Sequence, residues 1–131
     1  MKILYCSDSL GVHDRAMLNG FGNSGHEIAV ATFYQKPEEL PGFVQPFRTF
    51  HETFSTFPHG LHTTGGRLRR AFSYLREERQ AIKTLRRWVD EWKPDVVFAI
   101  WAISMGYVAA KAGVRNLVVF SMGSDVLLMP G

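Results

Sequence analysis

The residues with chemistry to offer gather in three short turns. The first is Asp8-Ser9-Leu10-Gly11-Val12-His13-Asp14-Arg15, directly after the apolar run Ile3-Leu4-Tyr5-Cys6. A turn that leaves a strand and opens a helix presents free backbone N–H groups and the positive end of the helix dipole. Gly11 lets a backbone approach a ligand closely. Ser9, His13 and Arg15 can hydrogen-bond a phosphate or sugar hydroxyls. The plainer roles are an N-cap for Asp14 and a solvent-facing loop position for His13. The second turn is Trp101-Ala102-Ile103-Ser104, where Trp101 is either a platform for a sugar ring or a core residue. The third is Gly123-Ser124-Asp125, whose serine and aspartate can also simply cap a following helix.

Other candidate motifs carry less. Gly20-Phe21-Gly22-Asn23-Ser24-Gly25 spells the dinucleotide fingerprint, but it closes a predicted helix and precedes a strand. The fingerprint must do the reverse, so that the helix N-terminus meets the pyrophosphate. His59 and His62 have the spacing of metal ligands without an accompanying carboxylate or cysteine, so no metal site is expected. No nucleophile elbow, P-loop or zinc motif is present. The single cysteine, Cys6, excludes an intrachain disulfide and reads as a small buried hydrophobe.

The turns need elements to hold them. Short apolar runs predict strands over 2–7, 26–33, 96–100 and 117–120, with an edge strand across 43–50 that tolerates Pro46 only at an edge. Apolar spacing predicts helices over 14–24, 67–92 and 104–113. Strand, loop, helix, tight turn and strand within the first thirty or so residues describe a right-handed parallel βαβ unit. The expected fold is α/β: a Rossmann-like, three-layer α/β/α domain. Its sheet is mostly parallel, in order 3-2-1-4-5 and covered on both faces. In that order strands one, four and five are neighbours, and all three chemical turns meet at the carboxyl edge of the sheet, where open α/β sheets bind ligands.

Length and charge narrow the class. The 131 residues make one domain at most, 46% of them hydrophobic and 21% charged, with net charge +3. No stretch of about 18 apolar residues exists to span a membrane, and a reducing, cytoplasmic setting is expected. The helix at 67–92 carries Arg67, Arg69, Arg70, Arg76, Arg79, Lys83, Arg86 and Arg87 against Glu77, Glu78, Asp90 and Glu91. That pattern is too diluted by acids for nucleic acid. About four such cations near an anionic leaflet give about 4 kcal/mol, enough for transient peripheral contact at the inner membrane face. A solvated face with i,i+4 ion pairs is the plainer alternative.

Two stretches, 1–33 and 93–130, resemble the N-terminal domain of family 4 glycosyltransferases of the GT-B fold. The features that carry the likeness are Gly25-His26-Glu27 before the second strand, Lys93-Pro94-Asp95 before the fourth and Gly123-Ser124-Asp125 after the fifth. Each motif is short; their order and spacing are the specific part. The resemblance implies an acceptor-side domain, here 1–131, facing a separate C-terminal domain that binds a nucleotide-diphosphate sugar. The chain is expected to end before that second domain and to be inactive alone. It implies Ser9, Gly11 and Arg15 near the donor phosphates. Asp8, Trp101, Ser104, Gly123, Ser124 and Asp125 would line the acceptor side. The acceptor would be a lipid or a glycan, and no cofactor or metal is called for. Many relatives carry histidine at the position of Met122, and many carry one within the run that reads Phe98-Ala99-Ile100-Trp101 here. His13 is therefore the remaining candidate catalytic residue. Readings from other classes are a flavodoxin-like or receiver-like binding module, and a scaffold that docks on membranes.

Overall fold

A computed structural model describes residues 1–8, 10–33, 48–54 and 66–122. Along the chain run β1 (Lys2–Ser7), α1 (Val12–Gly22), β2 (Glu27–Thr32), β3 (Arg48–His51), α2 (Arg67–Trp92), β4 (Val96–Ile100), a π-helical turn (Trp101–Gly106), α3 (Tyr107–Lys111) and β5 (Leu117–Phe120). The sheet order is β3-β2-β1-β4-β5 and every pairing is parallel. This is the expected Rossmann-like α/β sheet. Because all strands point one way, their carboxyl ends form a single edge, along which Ser7 pairs with Thr32 and Thr32 with His51.

Alternation along the central strands divides the interior in two. Tyr5, Ile28 and Val30 face α1 with Leu18, while Met17, Phe21 and Phe98 pack around them. Phe21 meets the edges of Tyr5 and Phe98 at centroid distances of 6.2 and 5.3 Å, and Tyr5 stacks on Phe98 at 5.8 Å. Leu4, Cys6, Ala29 and Ala31 face the other way, under α2 and α3. Trp88 of α2 lies against Phe33 and Phe50 at 5.2 and 5.6 Å, pinning the long helix to β2 and β3. The helices take opposite faces because the chain crosses from β1 to β2 in one direction and from β3 to β4 in the other, while each crossover stays right-handed.

Several boundaries differ from expectation for local reasons. The first helix begins at Val12, ahead of the predicted residue 14, with Gly11 as its N-cap residue. Asp14 is not the N-cap: its carboxylate reaches back from the first turn to the Gly11 N–H at 2.8 Å. The glycine series of the would-be fingerprint closes this helix, and Gly25 takes a left-handed φ of 76° in the turn to β2. α2 spans the predicted residues. Pro94 cannot continue it, and Lys93 caps it in the left-handed region while its N–H reaches the Val89 carbonyl at 2.8 Å. The third helix was expected from 104 after a loop, but the chain coils directly out of β4 into the π-helical turn. The edge strand expected across 43–50 is described over Arg48–His51; residues 43–47, including Pro46, lie outside the described residues.

Full cover of the sheet is also not met among the described residues. On β5, Val118, Val119 and Phe120 are 46%, 42% and 42% exposed. The π-helical turn packs so closely there that a Cβ on Gly106 would stand 2.9 Å from Val119 Cγ1.

Candidate functional site

The strand order puts a switch point at the carboxyl edge. From β1 the chain leaves over one face through α1, and β4 enters beside it from the other face. The turns after β1 and β4 therefore flank one crevice, the usual ligand position in open α/β sheets. A cavity of 110 Å³ lies there, lined by Tyr5, Gly11, His13, Asp14, Met17, Ile100, Trp101 and Met122. The Gly11 backbone and the His13 imidazole give it a polar side. Met17, Ile100, Trp101 and Met122 give it an apolar side, which suits a sugar ring. Its volume is well below the roughly 300–1,000 Å³ of complete ligand pockets, so this wall seats only part of a ligand. A larger depression of 330 Å³ sits at the opposite, amino edge, among Val89, Asp90, Pro94, Val97 and residues 113–116. It holds no residue of the three turns and lies on the edge that parallel sheets do not use for ligands.

A buried hydrogen-bond relay shapes the polar side. Tyr5 is fully buried, and its hydroxyl donates to Asp14 Oδ1 at 2.8 Å. Asp14 Oδ2 accepts the Gly11 N–H at the same distance. Both carboxylate oxygens thus have donors inside the protein, so Asp14 positions the turn rather than acting as a free base. Burial, with the Asp14 carboxylate beside it, pushes the Tyr5 phenol up from its ordinary value, so it stays a donor. Burial alone pushes the Cys6 thiol up, which leaves it unreactive.

Trp101 serves as wall and as packing at once. It is half-buried against the Tyr5 core. Its φ of 68° is left-handed, one of two such values among described non-glycine residues. Holding a bulky residue there costs on the order of 1–3 kcal/mol. Strained backbone and π-helical turns both concentrate at functional sites.

The remaining predicted site residues divide. His13 is exposed and reaches the cavity. Asp8 is buried at the end of β1. Arg15 is half-buried in α1 and does not line the cavity. Ser104 is buried in the π-helical turn, also outside the lining, and its Oγ has no hydrogen-bond partner among the described residues. Ser9, Gly123, Ser124 and Asp125 lie outside the described residues, as do His59 and His62. Met122, the last described residue, lines the cavity. Among the described residues no three His, Cys, Asp or Glu side chains come together in a way that could hold a metal, and no helix is long and apolar enough to cross a membrane.

Sequence reasoning missed two features. One is the Tyr5–Asp14 pair, although an acid three residues after an N-cap glycine is a legible capping signal. The other is His51, whose Nδ1 lies 2.7 Å from Thr32 Oγ1 and Nε2 2.9 Å from Thr53 Oγ1, extending the polar edge over β2 and β3.

Comparison with known proteins bears on what this edge serves. The sequence profile of the glycosyl transferase 4-like family matches residues 2–131. The chain belongs to that family. No curated protein matches it. Among solved structures, the crystal structure of the C-terminal domain (residues 83–215) of a hydrogenase from Pyrococcus furiosus is similar. It is 17% identical, with 91% of this chain and 90% of that one covered and a TM-score of 0.57. At that identity the likeness concerns the fold alone.

Proposed function

We propose that this domain is the acceptor-side part of a glycosyltransferase that moves a sugar from a nucleotide-diphosphate donor to a lipid or glycan acceptor, in the cytoplasm. The observation that carries the reading is the shared cavity of Gly11, His13 and Trp101 at the carboxyl-edge switch point of a family member. In this reading a second Rossmann-like domain holds the donor across the cleft. Ser9, Gly11 and Arg15 approach the diphosphate. Asp8, Trp101, Ser104, Gly123, Ser124 and Asp125 belong to the acceptor side.

The chemistry follows from charge. As the sugar leaves the diphosphate it gains oxocarbenium character, and negative charge grows on the leaving group. The α1 N-terminus and nearby cations stabilise that charge without reorganising, so the reading calls for no metal or other cofactor. Asp14 sets a carboxylate in the same first turn, which works against an anion. Its two donors spread that charge, and the neighbouring Arg15 carries the opposite sign. His13 is assigned contact with the reacting sugar, where an imidazole can donate or accept a proton. One wall of a cleft cannot align two substrates, so this domain alone is expected to turn over no nucleotide sugar.

The test is glycan and glycolipid profiling of cells making the protein with His13→Ala or Trp101→Ala. The reading expects one sugar-bearing product to fall in both, about 100-fold in rate for the histidine if it acts in proton transfer. Unchanged profiles with both variants at normal abundance would contradict it.

A further inference from the structure

The long helix is longer than the sheet it covers. With 26 residues α2 extends about 39 Å, against about 20 Å for a six-residue strand. Its carboxyl end is anchored at the amino edge of the sheet, where Lys2 Nζ lies 5.4 Å from the Trp92 ring centroid. Its buried residues are Glu77, Ala81, Thr84, Leu85, Trp88 and Trp92. Among the described residues none of these precedes residue 77, and before it Tyr74 packs against the core, so the first turns of the helix extend past the sheet at its carboxyl edge.

That overhang has a composition of its own. Leu68, Phe72 and Leu75 are 78%, 71% and 50% exposed and fall on one stripe at helical spacing. Arg79 continues the line of the stripe, Arg69, Arg76 and Lys83 run along one side of it, and all four are exposed. A 650 Å³ depression runs between Phe72, Leu75, Arg76, Arg79, Gln80 and Lys83. The acids that dilute this helix in sequence are set off the stripe, Asp90 and Glu91 at the other end of the helix. Glu77 is buried. Glu78 accepts the Tyr107 hydroxyl at 2.9 Å. Glu91 pairs with Arg48 at 2.7 Å at the far end.

We infer that the overhanging half of α2 seats on an anionic lipid bilayer, its apolar stripe in the headgroup boundary and its cations on lipid phosphates. A helix end with an apolar stripe and exposed cations, its nearest carboxylates buried at Glu77 or bonded to Tyr107 at Glu78, fits that surface. Since the overhang stands at the site edge, the inference selects the lipid among the acceptors proposed above and rests on that reading only for this step.

The experiment is co-sedimentation of the protein with phosphatidylcholine vesicles, with and without phosphatidylglycerol, at low and high salt. Binding is expected only with phosphatidylglycerol and is expected to weaken with salt. Each cation removed should weaken it about fivefold. The triple variant Arg76→Gln, Arg79→Gln and Lys83→Gln should therefore lose roughly a hundredfold. Phe72→Ser with Leu75→Ser should lose about tenfold or more. Circular dichroism and melting should be unchanged in both, since these side chains contribute nothing to the core. Absent binding, binding indifferent to phosphatidylglycerol, or binding indifferent to both variants overturns the proposal. A dimer that Phe72→Ser dissolves would assign the stripe to a second copy and also overturn it. No sugar donor enters the assay, so a failure here leaves the transferase reading standing, and the reverse holds too.

Discussion

The Tyr5 hydroxyl and Asp14 carboxylate, 2.8 Å apart in the interior, tie the first strand to the first helix at the point where the Gly11 turn is formed. The same carboxylate holds the Gly11 N–H, so one buried acid sets both the angle of α1 and the backbone lining the cavity.

Removing that acid should cost more than removing its partner. Asp14→Ala leaves a backbone N–H without its acceptor and a buried phenol with only the weak Met17 Sδ acceptor at 3.9 Å, and is expected to cost about 2–4 kcal/mol in urea unfolding. Tyr5→Phe leaves Asp14 its Gly11 bond and should cost about 1–2 kcal/mol. Equal costs would show that the relay does not work through Asp14.

Alkaline pH should weaken the fold. Tyr5 and Cys6 are both raised in the folded state, above ordinary values of 10.0 and 9.0, chiefly by burial. The folded chain keeps these protons where the unfolded chain releases them. Their stabilisation is therefore fully present below about pH 9 and is lost as pH rises, by up to about 1.4 kcal/mol per pH unit for each group. Urea midpoints should fall steadily above about pH 9. Tyr5→Phe combined with Cys6→Ala should flatten that decline.

Much of this architecture is legible in the sequence, and what is hidden has physical reasons. The central strands are apolar without interruption, and the Lys93-Pro94 pair marks the end of α2 plainly. The π-helical turn leaves no such signature. It depends on Val119 approaching Gly106 from a strand more than ten residues away, and no local preference of Trp101 foretells a left-handed φ. The Tyr5–Asp14 bond joins two elements and becomes visible only when they pack. In sequence, Glu77 and Glu78 dilute the basic helix; one is buried and the other bonded to Tyr107. A count of charges cannot see that separation.

Strain in the Trp101 turn predicts an inverted order of small substitutions. At a left-handed φ glycine is relaxed and alanine is not, so Trp101→Gly should be more stable than Trp101→Ala by about 1 kcal/mol. Gly106→Ala forces a Cβ within 2.9 Å of Val119 and should cost about 1–3 kcal/mol. In α1, a Cβ on Gly20 meets nothing within 4 Å, so Gly20→Ala should instead gain about 0.5–1 kcal/mol. Thermal melts of the four variants check the series.

The central claim is that the turns after β1 and β4 form one substrate-facing edge. Amide NMR of the domain titrated with millimolar UDP-glucose and GDP-mannose tests it most directly. The account predicts that at least one of them shifts Gly11, His13 and the backbone and indole of Trp101 together. Shifts confined to the amino-edge depression between Val89 and Asn116, with Gly11, His13 and Trp101 unmoved, would contradict it.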